Sequence, residues 1–218
     1  MALGQTHLDL GLSELSTAFT VRAEHSFVAA IQVALRAIAA SPGCRGVAWK
    51  TAADAVFFLS RCSSFADSDS VGGVLSEVAA LVAARASDRV SGIISPARVH
   101  DKSPPNGLRA LAVAIAAYDY RLALGVSDAA GSGSAWFDLG ISLHSWASQA
   151  APRESQERAA KQARECVVEA LRADPVNVAY WSALGNVAFA TEPKTAQHAY
   201  IRVLEIDSKV SLRDSFWA

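Results

Sequence analysis

The stretch Arg172–Ala190, RADPVNVAYWSALGNVAFA, decides how the rest of the chain is read. Pro175 lacks an N–H and its ring clashes with a preceding helical turn, so a helix arriving through Arg172 ends at Asp174. Beyond it, Trp181, Leu184, Val187 and Ala188 fall at helical spacing on one face. The stretch is therefore predicted to be the joint between two antiparallel helices, and the next question is what recurs around it.

Working outward, nearly every periodic segment is helical. SFVAAIQVALRAIAASPG, residues 26–43, places Phe27, Ala30, Ile31, Ala34, Leu35 and Ile38 on one stripe and stops at Ser41-Pro42-Gly43. VAWKTAADAVFFLS follows, with Trp49, Ala52, Ala53, Val56 and Leu59 as its apolar face. Residues 61–73, rich in Ser, Asp and Gly, read as a loop, and Val74–Ala86 as a helix. Residues 91–107, with Pro96 and Pro104-Pro105, read as irregular. Helix resumes over 108–125, VSDAAGSGS (126–134) reads as a loop, and helices are expected at 135–149 and 157–174. No segment shows period-two alternation with turn chemistry on both sides, so the fold class is all-α.

The spacing matches the tetratricopeptide unit of about 34 residues, a helix–turn–helix with Trp, then Leu-Gly, then Ala–aromatic–Ala and a closing Pro. Trp136, Leu139 and Gly140 fill the first-helix slots of one unit, with Ala163, Val167 and Ala170 in its second helix and Pro175 closing it. Trp181, Leu184 and Gly185 open the next, which continues through Ala196, Tyr200 and Val203 and closes at Asp207-Ser208. The second-helix pattern is also read at Ala116, Tyr120 and Ala123, and at Ala30, Ala34 and Ala37, after which Trp49 opens a weaker unit. Leu3-Gly4 sits where an earlier Leu-Gly pair belongs. The expectation is a tetratricopeptide solenoid with an irregular insertion: degenerate repeat-like helices over 1–62, an insertion with one helix over 63–107, and repeat units over 108–218, at about 133–175 and 178–208. Glycine and alanine at Gly140, Gly185, Ala163 and Ala170 let backbones approach, while Trp136, Trp181 and Tyr200 are expected to be buried wedges between successive pairs. The 63–107 insertion is expected to be mobile in the isolated chain.

Composition narrows the class of function. Twenty basic residues stand against 21 acidic ones, a net charge of −1, without the basic excess of a dedicated nucleic-acid surface. The three cysteines, Cys44, Cys62 and Cys166, form no CxxC and read as small packing residues in a reducing compartment, cytosol or nucleus. The richest apolar run, residues 108–125, is broken by Arg109, Asp119 and Arg121 and does not read as a membrane span.

Three quoted segments carry a family resemblance. AWFDLGISL with Trp136, Asp138, Leu139 and Gly140, then Asp174, Asn177, Tyr180, Trp181, Ala183, Leu184 and Gly185 across the joint, then Ala196, Gln197, His198 and Tyr200, resemble the large tetratricopeptide subunit of the superkiller complex. Upstream, Trp49, Lys50, Ala52 and Asp54 are similar to that family's Trp-Lys-x-Ala-x-Asp segment. Family members are far longer, so the chain resembles a fragment. The resemblance implies a cytoplasmic, non-catalytic scaffold that holds a helicase and a WD-repeat protein together. Through these protein contacts it would support 3′-to-5′ messenger RNA decay by the exosome, meeting RNA only indirectly. The alternative is a peptide-binding tetratricopeptide adaptor of another pathway.

Nothing in the residues advertises catalysis. The five histidines, His7, His25, His100, His144 and His198, show no metal-ligand spacing. The Gly-Ser-Gly of 131–133 follows no strand and lacks a phosphate-loop lysine, and Asp67–Ser70 lacks the glycine and glutamate of a calcium loop, so it reads as a solvated turn. No cofactor or metal is expected. A carboxylate clamp of the co-chaperone type would need Lys and Asn on the first-helix faces, where only Asn186 stands beside Phe137, Ile141 and Ser182.

Overall fold

The computed structural model describes residues 2–16, 20–40, 45–62, 65–82, 87–99, 106–125, 129–149 and 153–215, and within them every regular element is a helix. In chain order these are α1 (Ala2–Ser16), α2 (Thr20–Ala40), α3 (Arg45–Leu59), α4 (Ser68–Val82), α5 (Asp88–Ser91), α6 (Pro96–Val99), α7 (Gly107–Ala123), α8 (Ala129–Gln149), α9 (Arg153–Ala173), α10 (Val178–Ala188) and α11 (Pro193–Ser215). The protein is all-α, with neighbouring helices packed against one another. It divides into two compact units. Unit 1 holds residues 1–125 and 149–155; unit 2 holds 126–148 and 156–218. The helix α7 therefore belongs to unit 1, whereas the sequence pattern grouped 108–218 together.

In unit 1, α2 lies between α1 and α3, and α7 packs on α3 and α4. The stripes expected on α2 and α3 are the buried faces: Phe27, Ala30, Ile31, Ala34, Leu35 and Ile38 on one, Trp49, Ala52, Ala53, Val56 and Leu59 on the other. Helix α7 is buried nearly all round, as its run of Ala, Leu, Val and Ile requires. Ala116 and Tyr120, read as second-helix positions, are half-buried and Ala123 is exposed, on the less buried side of the helix. Tyr120 still meets the buried Trp49 ring, 4.8 Å between centroids.

The described residues of 63–107 include three helices, α4, α5 and α6. Ser68–Gly73, read as loop, is the first turn and a half of α4. Asp67 caps that helix, its Oδ1 accepting from Ser70 N at 3.0 Å, and hydrogen bonds from the Ser70 side chain first and its backbone second hold the Asp67 carboxyl below its ordinary pKa. A Ser/Asp cluster is capping chemistry as much as loop chemistry, which is why the boundary was misplaced. Val71, Val74, Leu75, Val78, Ala79 and Val82 then bury one face of α4. Residues 83–86, the last expected turn, lie outside the described residues, as do Cys44 and His100.

Two buried carboxylates pin this region. Glu24 on α2 accepts from Ala66 N and Asp67 N at 2.8 and 2.9 Å. Asp119 on α7, 2% exposed, accepts from Ser87 N and Oγ and from Arg89 Nη1 at 2.8–3.2 Å. Buried charges persist only when hydrogen-bonded in this way. Gly107 opens α7 where a Cβ would stand 2.7 Å from Ser60 O, and Asn106 caps it by accepting from Arg109 N at 2.8 Å.

In unit 2, α9 packs along α8 and α11 along α10. Residues 129–134, read as loop, already belong to α8. Gly133 lies close against α9, where a Cβ would stand 3.1 Å from Ala173 Cβ. Helix α11 runs through Asp207-Ser208, the expected stop, to Ser215: neither residue lacks an N–H, and neither interrupts a helix as Pro175 does.

Candidate functional site

The joint read first in the sequence is built as its residues require. Asp174 accepts from Val176 N and Asn177 Nδ2 at 3.3 and 3.2 Å, closing a turn over Pro175. Asn177 then caps α10, its Oδ1 accepting from Ala179 N and Tyr180 N at 3.0 and 3.4 Å. The Trp181 indole N–H folds back and donates to Pro175 O at 2.8 Å. One face of α10 thereby starts at a fixed angle to α9.

Both unit-2 helix pairs close on a glycine. A Cβ on Gly140 of α8 would lie 2.9 Å from Val167 and 3.2 Å from Ala163 O on α9. A Cβ on Gly185 of α10 would lie 2.5 Å from the Tyr200 ring on α11. The Tyr200 hydroxyl donates to Asn186 Oδ1 at 2.8 Å, which engages the one amide the carboxylate clamp would use. Leu139, Ala163, Ala170, Leu184 and Ala196 are buried, Tyr200 is half-buried, and Pro175 is exposed at its turn.

The same geometry recurs in unit 1 at a place the sequence pattern passed over. Gly4, Leu8 and Gly11 form the buried edge of α1, and a Cβ on Gly11 would lie 2.6 Å from the Phe27 ring. Ala23, Phe27 and Ala30 on α2 are fully buried. Phe27 is thus the α2 residue that meets a glycine of α1, and Ala37 is only half-buried. The signal was available: Gly11 and Phe27 are sixteen residues apart, close to the fifteen between Gly185 and Tyr200. Leu10-Gly11 even repeats the Leu-Gly pair of Leu184-Gly185; what hid it is His7 at the place of the tryptophan.

The wedges differ from expectation. Trp136 and Trp181 are half-buried rather than buried, while Trp49 and Trp146 are each 1% exposed. Between α8 and α10 the filling is done by Phe137 against Tyr180, ring centroids 4.9 Å apart. The Trp181 ring instead meets His198 edge-on at 5.7 Å and lies under the Arg202 guanidinium, also 5.7 Å away. Trp-Lys-x-Ala-x-Asp on α3 has a clear physical role: Lys50 pairs with Asp54 at 3.2 Å, and Asp54 accepts from Tyr118 OH at 2.7 Å, tying α3 to α7.

The outward face of α11, Gln197, His198, Ile201, Leu204 and Glu205, is exposed and carries two aliphatic side chains among polar ones. Phe189 and Val176 are also exposed at the two ends of α10. Among the described residues, no three or more His, Cys, Asp or Glu side chains converge in a metal-binding arrangement. No helix among them is long and apolar enough to cross a membrane. Cys62 and Cys166 are buried; burial, and then the nearby Glu24 charge, push the Cys62 thiol up to about 11, and burial pushes His144 down. The chain matches no protein-family model and no curated protein sequence.

Proposed function

We propose that the chain is a non-catalytic scaffold of tetratricopeptide-type helix pairs that acts by binding other proteins. In this reading it serves as the large tetratricopeptide subunit of the superkiller complex does, holding a helicase and a WD-repeat subunit in the cytoplasm. It would then support exosome-mediated 3′-to-5′ messenger RNA decay with only indirect RNA contact. The observation that carries the repeat reading is the glycine closure recurring in three helix pairs, Gly11 with Phe27, Gly140 with Val167 and Gly185 with Tyr200. The Asp174–Asn177 turn adds to it, since it sets one pair against the next. Helices that bury only one face gain stability by stacking, and what stacking leaves uncovered is available to partners. The exposed Ile201 and Leu204 of α11 supply apolar contact area of that kind.

The test is affinity purification of the tagged chain from cytoplasmic extract treated with ribonuclease, read by quantitative mass spectrometry. The helicase and WD-repeat subunits are expected to be enriched with and without ribonuclease. Enrichment of neither over a tag-only control overturns the superkiller assignment. Saturable binding of a short peptide by the isolated chain would then favour the adaptor of another pathway.

A further inference from the structure

Of the three asparagines in the chain, Asn177 and Asn186 each precede valine, and Asn106 precedes glycine. Glycine has no side chain to shield its backbone nitrogen, so that nitrogen reaches the side-chain amide of a preceding asparagine more easily than a valine nitrogen does. Packing explains why the pair stands here. Asn106 caps the 17-residue helix α7, its Oδ1 accepting from Arg109 N at 2.8 Å, and a Cβ at position 107 would lie 2.7 Å from Ser60 O. Asn106 itself is exposed. We propose that Asn106 is a modification site: its side chain deamidates by attack of the Gly107 nitrogen, at a rate set by opening of the first turn of α7.

The step balances with water as the only co-reactant. The Gly107 nitrogen loses its proton and bonds to Asn106 Cγ, the Cγ–Nδ2 bond breaks, and the side-chain nitrogen leaves as ammonia. Water then opens the resulting succinimide ring. Attack at Cγ gives aspartate. Attack at the Asn106 backbone carbonyl carbon gives isoaspartate, in which the chain runs on through the former side chain. Closing the ring must bring Cβ and the Gly107 nitrogen to eclipse about the Cα–C bond. The folded residue, at φ −141° and ψ 166°, holds them rotated apart, and the cap bond holds the side-chain oxygen. The reaction therefore waits on local opening.

The two products differ in consequence. Aspartate caps as well as asparagine does and adds a negative charge at a helix N-terminus. Isoaspartate lengthens the backbone by one carbon at the point where Gly107 passes Ser60 O without room for a methyl. Helix α7 buries Ala110, Leu111, Val113 and Ala114 in unit 1, so a displaced first turn loosens that packing.

The inference is independent of the scaffold reading, and either can fail without the other. The experiment ages the full chain in mildly alkaline buffer, with and without denaturing urea, followed by peptide mass mapping and isoaspartyl methyltransferase labelling. Conversion of Asn106 to both products is expected, at least about tenfold faster in urea than in the folded chain. Asn177 and Asn186 are expected to convert more slowly than Asn106 in urea. Asn106→Asp is expected to unfold at the wild-type temperature, and the aged isoaspartate fraction below it. No conversion of Asn106 in urea, equal rates in the folded and unfolded chain, conversion as fast at Asn177 or Asn186, or an isoaspartate fraction as stable as Asn106→Asp would each overturn the proposal.

Discussion

Replacing Gly11 with alanine sets two known effects against each other. In an exposed helix interior, Gly→Ala stabilises by about 1 kcal/mol, because alanine loses less backbone entropy. At Gly11 the new methyl would lie 2.6 and 2.8 Å from Phe27 Cε1 and Cδ1. Phe27 is fully buried and stacked on Phe58, centroids 6.0 Å apart, so the ring has little room to retreat. Overpacking of this kind costs about 1–3 kcal/mol, and the upper part of that range applies against an immobile ring. The net expectation for Gly11→Ala is a loss of about 1–2 kcal/mol. Gly73→Ala supplies the control, since nothing lies within 4 Å of its Cβ on the exposed side of α4; a gain of up to about 1 kcal/mol is expected. Urea unfolding followed by circular dichroism separates them, and in a chain of this size each kcal/mol moves Tm by about 2–4 °C. Phe27→Leu should relieve the clash, so the Gly11→Ala effect in that background should be smaller by at least about 1 kcal/mol. If Gly11→Ala stabilises as much as Gly73→Ala, α1 and α2 do not close on that glycine and the reasoning is refuted.

Other expectations follow from the same contacts. Trp49→Ala should cost about 3–5 kcal/mol, whereas Trp181→Ala should cost clearly less because that ring is half-buried; equal losses by thermal unfolding would contradict the placement of the two indoles. Asp119→Ala should cost about 1–3 kcal/mol and expose Asp88–Ser91 to rapid hydrogen exchange, since it removes the acceptor shared by Ser87 and the partly exposed Arg89; retained protection there would count against the pin. For Cys62, a folded thiol at about 11 against an ordinary 9.0 means the unfolded chain releases its proton first. Stability should therefore fall between pH 9 and 11 by on the order of 2 kcal/mol, and Cys62→Ala should remove that part of the fall in pH-dependent denaturant titrations.

Much of the helical content was legible because its signals are local. The stripe from Phe27 to Ile38 and the Asp174-Pro175 break needed only a 3.6-residue period and the chemistry of proline. What failed was the assumption that Ser, Gly and Asp clusters mean loops. Ser68–Gly73 and Ala129–Ser134 are helical: an acid caps the first, and Gly133 of the second lies close against Ala173 and Tyr180. Burial of Trp136 and Trp181 was misjudged for a different reason: side-chain depth depends on what fills the seam, and Phe137 with Tyr180 fills it. The pins at Glu24 and Asp119 join residues 30 to 43 positions apart, beyond the reach of any periodic pattern.

The closest check on the helix-pair architecture is proton NMR of the glycine Hα resonances. Gly11 and Gly185, each seated against an aromatic ring, should show ring-current-displaced Hα signals with cross-peaks to the Phe27 and Tyr200 ring protons, and Gly140 should show cross-peaks to the Val167 methyls. Glycine Hα signals at ordinary positions, without those cross-peaks, would show that the pairs do not close on glycine and would contradict the repeat reading.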